Sequence, residues 1–141
     1  MEVTVINGNN ERIDKYLSDF SEKYNGLNDY AQYGINSFHQ AYKEGIFSHK
    51  NKDLWGVFVG TSFGNQIPLS KEQCKVIREQ GVKFVLPWQN TNKGTQMVAN
   101  ICAIENNFHG SNYTYVGGRA ASAIAVMEAF DEIVYGSLEA A

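Results

Sequence analysis

Three histidines and two cysteines are the side chains best suited to metal binding or nucleophilic chemistry, and their spacing argues against both. His39, His49 and His109 are scattered, with no H-x-x-x-H pair and no cysteine pair beside them. No metal site is expected from that pattern. A Cys-His dyad needs a thiolate next to an imidazole. Cys102 sits instead in Val-Ala-Asn-Ile-Cys-Ala-Ile, a run that reads as core packing. Cys74 and Cys102 both fall among helix-forming residues, so each is expected as a buried free thiol and not as half of a disulfide. No two carboxylates are isolated in an apolar loop, which leaves acid–base catalysis unsupported.

Glycines offer a second kind of chemistry, close approach of the backbone to a ligand. Gly56, Gly60 and Gly64 match neither G-x-G-x-x-G nor the G-x-x-x-x-G-K-S/T phosphate loop. Gly60-Thr61-Ser62-Phe63-Gly64 reads more simply as a tight turn leaving a buried strand. Gly117-Gly118 lies between a strand and a helix, so the helix N-terminus there could hold an anion. The same pair also suits a strand-to-helix corner with no ligand. No motif calls for a cofactor.

The elements that position these residues follow from periodicity. Val3-Thr4-Val5-Ile6 is a strand pattern ended by Asn7-Gly8-Asn9-Asn10. Ile13, Tyr16, Leu17 and Phe20 mark one face of a short helix, and a second short helix is predicted over 38–47, closed by Gly45. Leu54 through Gly60 is a nearly unbroken apolar strand, as expected for a parallel strand covered on both faces. A helix is predicted over 70–80, with Ser70 as cap and Gly81 as stop, then Pro87 interrupts an extended run. The next helix spans 91–107, with Met97, Ile101 and Ile104 along one side. Asn112 to Val116 alternates as a strand. The last helix, Arg119 to Val134, is rich in alanine and ends at Gly136. Ala121, Ile124, Ala125, Phe130 and Ile133 are its packing candidates, with Asp131 and Glu132 facing out. Its small side chains predict close approach of another element. The order predicts a layered α/β fold with a mainly parallel sheet flanked by helices.

Four segments in this order resemble the β-ketoacyl synthases of the thiolase-like superfamily. Gly110-Ser111-Asn112-Tyr113-Thr114-Tyr115-Val116-Gly117-Gly118-Arg119-Ala120-Ala121-Ser122-Ala123 is similar to their G-P-N-x-T, short strand and T-A-C-A elbow. Gly56 through Gly64 is similar to their V-G-V-x-x-G-T-x-x-G, and Pro87 with its Asn-rich turn resembles their S-P-x-x-F-P-N stretch. Gly136 falls where the family has a glycine after the nucleophile-bearing helix. The likeness is good from Leu54 to Gly136 and thin from Met1 to Asn51. It implies a single partial domain over 1–141, a thiolase-like N-terminal part covering roughly the first third of a family subunit.

The departures from the family shape the expected function. The resemblance places the acyl-accepting cysteine at the elbow, and Arg119 stands there. A guanidinium stays protonated and cannot be acylated. The family's two catalytic histidines lie in a C-terminal half that this sequence does not contain. The resemblance therefore implies a non-catalytic ketosynthase-like subunit in fatty-acid or polyketide-type acyl-chain synthesis, with no catalytic residue of its own. Gly117, Gly118 and Arg119 are the candidate contacts for an anion, such as a phosphopantetheine phosphate, or for a partner. The resemblance also implies a dimer edge at the strand Asn112, Tyr113, Thr114, Tyr115 and Val116. Partners expected on this view are a second copy, a ketosynthase-like subunit or an acyl carrier protein. Two alternatives stay open: a split acyltransferase whose catalytic groups come from other chains, and an independent small α/β interaction domain.

Composition bounds the rest. The 141 residues are 43% hydrophobic and 19% charged, which is globular and not disordered. Twelve Lys and Arg against fifteen Asp and Glu give a net charge of −3, with no basic cluster to suit nucleic acid. No signal peptide or spanning apolar run is visible, so a cytoplasmic protein without membrane contact is expected.

Overall fold

A computed structural model describes residues 27–44, 51–85 and 94–141. The strand predicted at Val3–Ile6, the helical face Ile13–Phe20, the stop at Gly45, His49 and the break at Pro87 lie outside the described residues.

Strand β1, Val57–Thr61, is the centre of the described fold. It pairs in parallel with β2, Asn112–Val116, in the register Val57 to Asn112 through Thr61 to Val116. Trp55, just ahead of β1, forms a parallel bridge with Ala140. Backbone groups alternate between the two edges of a strand. Val57 N–H reaches Ser111 on one edge while Gly56 N–H reaches Ala140 on the other. Trp55 and Gly56 are thus flanked along both edges, while helices packed on the faces of β1 account for its apolar sequence. β1 begins three residues later than the apolar run predicts, because Lys52–Leu54 closes into a 3-10 turn whose cap is Asn51.

Helices cover both sheet faces. Helix α1, Asp29–Glu44, packs on α3, Met97–Asn106, and α3 lies against β1 and β2. Helix α4, Ala121–Val134, covers the opposite face. This is the predicted arrangement of a parallel sheet flanked by helices. The main core gathers Ala31 and Ile35 of α1, Val98, Ala99, Cys102 and Ala103 of α3, and Trp55, Val57 and Phe108. Phe108 binds it together by edge contacts with Phe38 and Tyr42 and a tilted contact with Trp55. His39 of α1 meets Glu105 of α3 at 3.0 Å along the same seam.

Several boundaries and faces differ from the sequence pattern for identifiable reasons. α1 is one helix starting at Asp29, because the Asn28 side chain accepts the Ala31 N–H and caps it. Helix α2, Gln66–Gln80, starts four residues before the predicted Ser70 cap. Pro68 sits in its first turn, where a backbone N–H has no helical partner to lose. Cys74, on α2, is exposed and not buried, whereas Cys102 is fully buried as expected. α3 starts later than expected and turns Val98, Ala99, Cys102 and Ala103 inward, so Ile104 faces solvent. It stops where Asn107 adopts the left-handed conformation at φ 57°. In α4 only Ala121 and Ala125 are buried; Ile124 and Phe130 are exposed, and Glu132 is half-buried with its carboxylate accepting from Ser111 Oγ.

Asn36 of α1 is buried, yet neither its amide nitrogen nor its oxygen has a hydrogen-bond partner among the described residues. Desolvated amide groups without partners are destabilising. Asn36→Leu is therefore expected to raise the unfolding free energy by about 1 kcal/mol. A urea melt checks this through a higher midpoint at unchanged slope.

Candidate functional site

The elbow between β2 and α4 sits at the carboxyl end of two parallel strands, the place where α/β sheets commonly hold ligands. Gly117 N–H donates to Thr61 O at 3.3 Å, and Ser62 Oγ donates to Gly118 O at 3.2 Å. The end of β1 therefore holds the elbow directly. Gly118 has φ +59°, a left-handed conformation that glycine adopts without strain, and the space beside its Cα is open. The chain then makes one 3-10 turn, Gly118–Ala120, before α4 begins.

Arg119 lies in that 3-10 turn, exposed, and its side chain makes no hydrogen bond or ion pair among the described residues. α4 carries no side-chain cap at its N-terminus and no acidic residue in its first turn. Its leading N–H groups and the positive end of its dipole are thus uncompensated by side chains. Gly117, Gly118 and Arg119 are brought together as one open corner. Contrary to the predicted helix over 119–134, Arg119 precedes α4 and is not its first residue.

The sequence pattern misses the residues that brace this corner from β1. Gly64 N–H donates to Thr61 Oγ1 at 2.9 Å, fixing the turn after β1. Gly64 itself has φ +53°. Tyr30 of α1 donates its hydroxyl to Thr95 O at 3.1 Å. Burial raises its pKa, partly offset by a hydrogen bond to Thr61. The small-residue stretch Thr61–Asn65 is the only local signal of this bracing, because the partners are distant in sequence.

Strand β2 uses one edge for β1, and its other edge has no strand partner among the described residues. Tyr113 and Val116 are exposed, while Thr114 and Tyr115 are half-buried. Tyr113 meets Phe58 across the ladder with ring centroids 5.7 Å apart. Burial, then the charges of Glu128, Tyr113 and Glu132, raises the Tyr115 pKa. No group of three metal-ligating side chains occurs among the described residues. His109 instead pairs with Asp53 at 2.9 Å on the surface. An open groove lined by Ser70, Lys71, Cys74, Lys75, Arg78 and Glu79 runs along α2 and shares no residue with the elbow.

A family model for the N-terminal domain of β-ketoacyl synthases matches residues 2–141. The chain belongs to this family. No curated protein matches the sequence significantly. Membership accounts for the β1–loop–helix and β2–elbow–helix units, and the parallel pairing of β1 with β2 is consistent with a thiolase-like N-terminal domain. Among the described residues no helix is long and apolar enough to cross a membrane.

Proposed function

We propose that this β-ketoacyl synthase domain is a non-catalytic partner subunit in acyl-chain synthesis of the fatty-acid or polyketide type. The observation that supports the reading is Arg119, exposed at the elbow, where the sequence resemblance implies an acyl-accepting cysteine. An arginine there supplies charge and hydrogen-bond donors but no nucleophile. With the open space beside Gly118 and the end of α4 that carries no side-chain cap, it suits an acidic group of a docking partner. A carrier protein's phosphopantetheine phosphate has that chemistry. The edge of β2 that has no strand partner among the described residues gives a second contact surface, where the antiparallel strand of a second copy or of a ketosynthase-like subunit would extend the sheet.

The test is intact-mass and peptide mapping after incubation with an acyl-pantetheine thioester. The wild-type chain is expected to carry no acyl group on the elbow, alone or with a ketosynthase partner. Arg119→Cys places a thiol beside the uncapped N-terminus of α4, where the thiolate is favoured. Its new thiol is expected to alkylate about tenfold faster than Cys74, the exposed internal reference. A β-keto product made by the wild-type chain on its own would overturn the non-catalytic reading. Condensation appearing only on mixing with a partner would favour the split-enzyme alternative.

A further inference from the structure

Helix α2 gathers its positive charge on one side. Lys71, Lys75 and Arg78 follow at spacings of four and three, which makes them neighbours on a single helix face. Ser70 and Cys74 lie beside them, and all five side chains are exposed. With Glu79 they line the groove along α2, whose volume is about 540 Å³. Small-molecule sites occupy roughly 300–1,000 Å³.

The charges identify what fits there. None of the three cations makes a hydrogen bond or ion pair among the described residues. Lys71 and Lys75, four apart, repel each other along the helix. Lys75 and Glu79 are also four apart, but in the less favourable order of base before acid, and they form no ion pair. Residues 66–85 hold four of the chain's twelve Lys and Arg but two of its fifteen Asp and Glu, a local charge of +2 in a chain of net −3. Unpaired ammonium and guanidinium groups are costly to bury under an apolar surface. No aliphatic or aromatic anchor lines the groove for a protein partner to grip. A small ligand with several negative charges, in contrast, removes the repulsion. Lys71 and Arg78 are about 10 Å apart along the axis, a span that a run of linked phosphates matches better than a single phosphate.

We propose that this face of α2 is a binding site for a soluble polyphosphate, free or as the phosphate chain of a nucleotide. Arg78 offers a planar fork of donors that grips two phosphate oxygens at once. Lys71 and Lys75 add point charges, and the Ser70 hydroxyl adds a donor. Glu79, the one carboxylate of the groove, sets the limit of the anionic part. The site shares no residue with the elbow and stands whether or not the elbow receives an acidic group.

Titration of the full chain with inorganic tripolyphosphate is expected to saturate at one site and to weaken as salt rises from about 50 to 500 mM. Lys75→Gln and Arg78→Gln each weaken it about fivefold, and Lys71→Gln, Lys75→Gln and Arg78→Gln together abolish it. Urea midpoints of these variants stay unchanged, because the side chains are exposed. Glu79→Gln is expected to tighten binding about threefold, an effect that damage to the fold does not produce. Cys74 reports occupancy from inside the groove. Its reaction with a dianionic aromatic disulfide is expected to slow about fivefold or more under saturating tripolyphosphate. Adenosine triphosphate binds like tripolyphosphate, and adenosine does not. No saturation up to about 5 mM tripolyphosphate overturns the proposal. So does binding that survives the triple substitution, or binding lost with Arg119→Gln, which assigns the anion to the elbow. Adenosine binding as tightly as its triphosphate overturns the phosphate class. Retention on phosphatidylglycerol vesicles without any response to tripolyphosphate overturns a soluble ligand in favour of a lipid surface.

Discussion

Gly60→Val is expected to destabilise the fold by about 3 kcal/mol or more, the largest effect of any single substitution considered. A Cβ built on Gly60 stands 2.4 Å from Ala121 O and 2.5 Å from Ser122 Cα. Both neighbours belong to the backbone at the start of α4, so no side-chain rotation can relieve the clash. The helix must back away from β1, uncovering Ala121 and Ala125 and pulling on the Thr61 and Ser62 bonds to the elbow. Gly118→Ala makes the contrasting case. Its backbone is left-handed, but nothing lies within 4 Å of the added methyl. Only conformational strain operates there, so a loss of about 1 kcal/mol is expected. Urea denaturation of both variants separates close packing from backbone strain. A Gly60→Val chain as stable as wild type would falsify the close contact between β1 and α4.

That contact is partly legible in the residues alone. A glycine within an apolar strand and a helix rich in alanine both signal close approach. What they do not reveal is the side of α4 that makes it. Ile124, Phe130 and Ile133 compete with Ala121 and Ala125 for the core on hydrophobicity alone. The larger residues lose because the sheet lies too near to admit them, a distance set by Gly60 from another part of the chain. The same limit governs α3, where Ile104 looks like core yet the narrow contact with α1 selects Val98, Ala99, Cys102 and Ala103. A helix start is misread where one local signal outweighs a permissive position, as the Ser70 cap does over Pro68 in α2. The elbow is legible because two glycines between a strand and a helix need only local reasoning. Its attachment to Thr61 and Ser62 is not, since those hydrogen bonds span more than fifty residues of sequence.

Alkaline pH gives the second large effect, and it arises at Cys102. Its side chain is fully buried, and burial first, then the nearby Glu105 carboxylate, pushes the thiol from its ordinary 9.0 up to about 12. A hydrogen bond from the backbone offsets this in part. The folded chain therefore holds the proton more tightly than the unfolded chain. The resulting stability is fully present below pH 9 and is lost as pH rises towards 12, reaching a loss on the order of 4 kcal/mol at the top of that window. Tyr30 and Tyr115 are also raised and act in the same direction, so the wild-type slope alone does not isolate the thiol. Cys102→Ala does, because the two tyrosines remain. Its unfolding free energy is expected to fall less steeply over the same window, although the variant starts lower from the lost packing. Thiol labelling reports the same physics independently. Exposed Cys74 is expected to react with an aromatic disulfide reagent in the folded protein, while Cys102 reacts only as fast as the chain opens. Equal labelling of both cysteines under native conditions would remove Cys102 from the core and, with it, the cause of the alkaline transition.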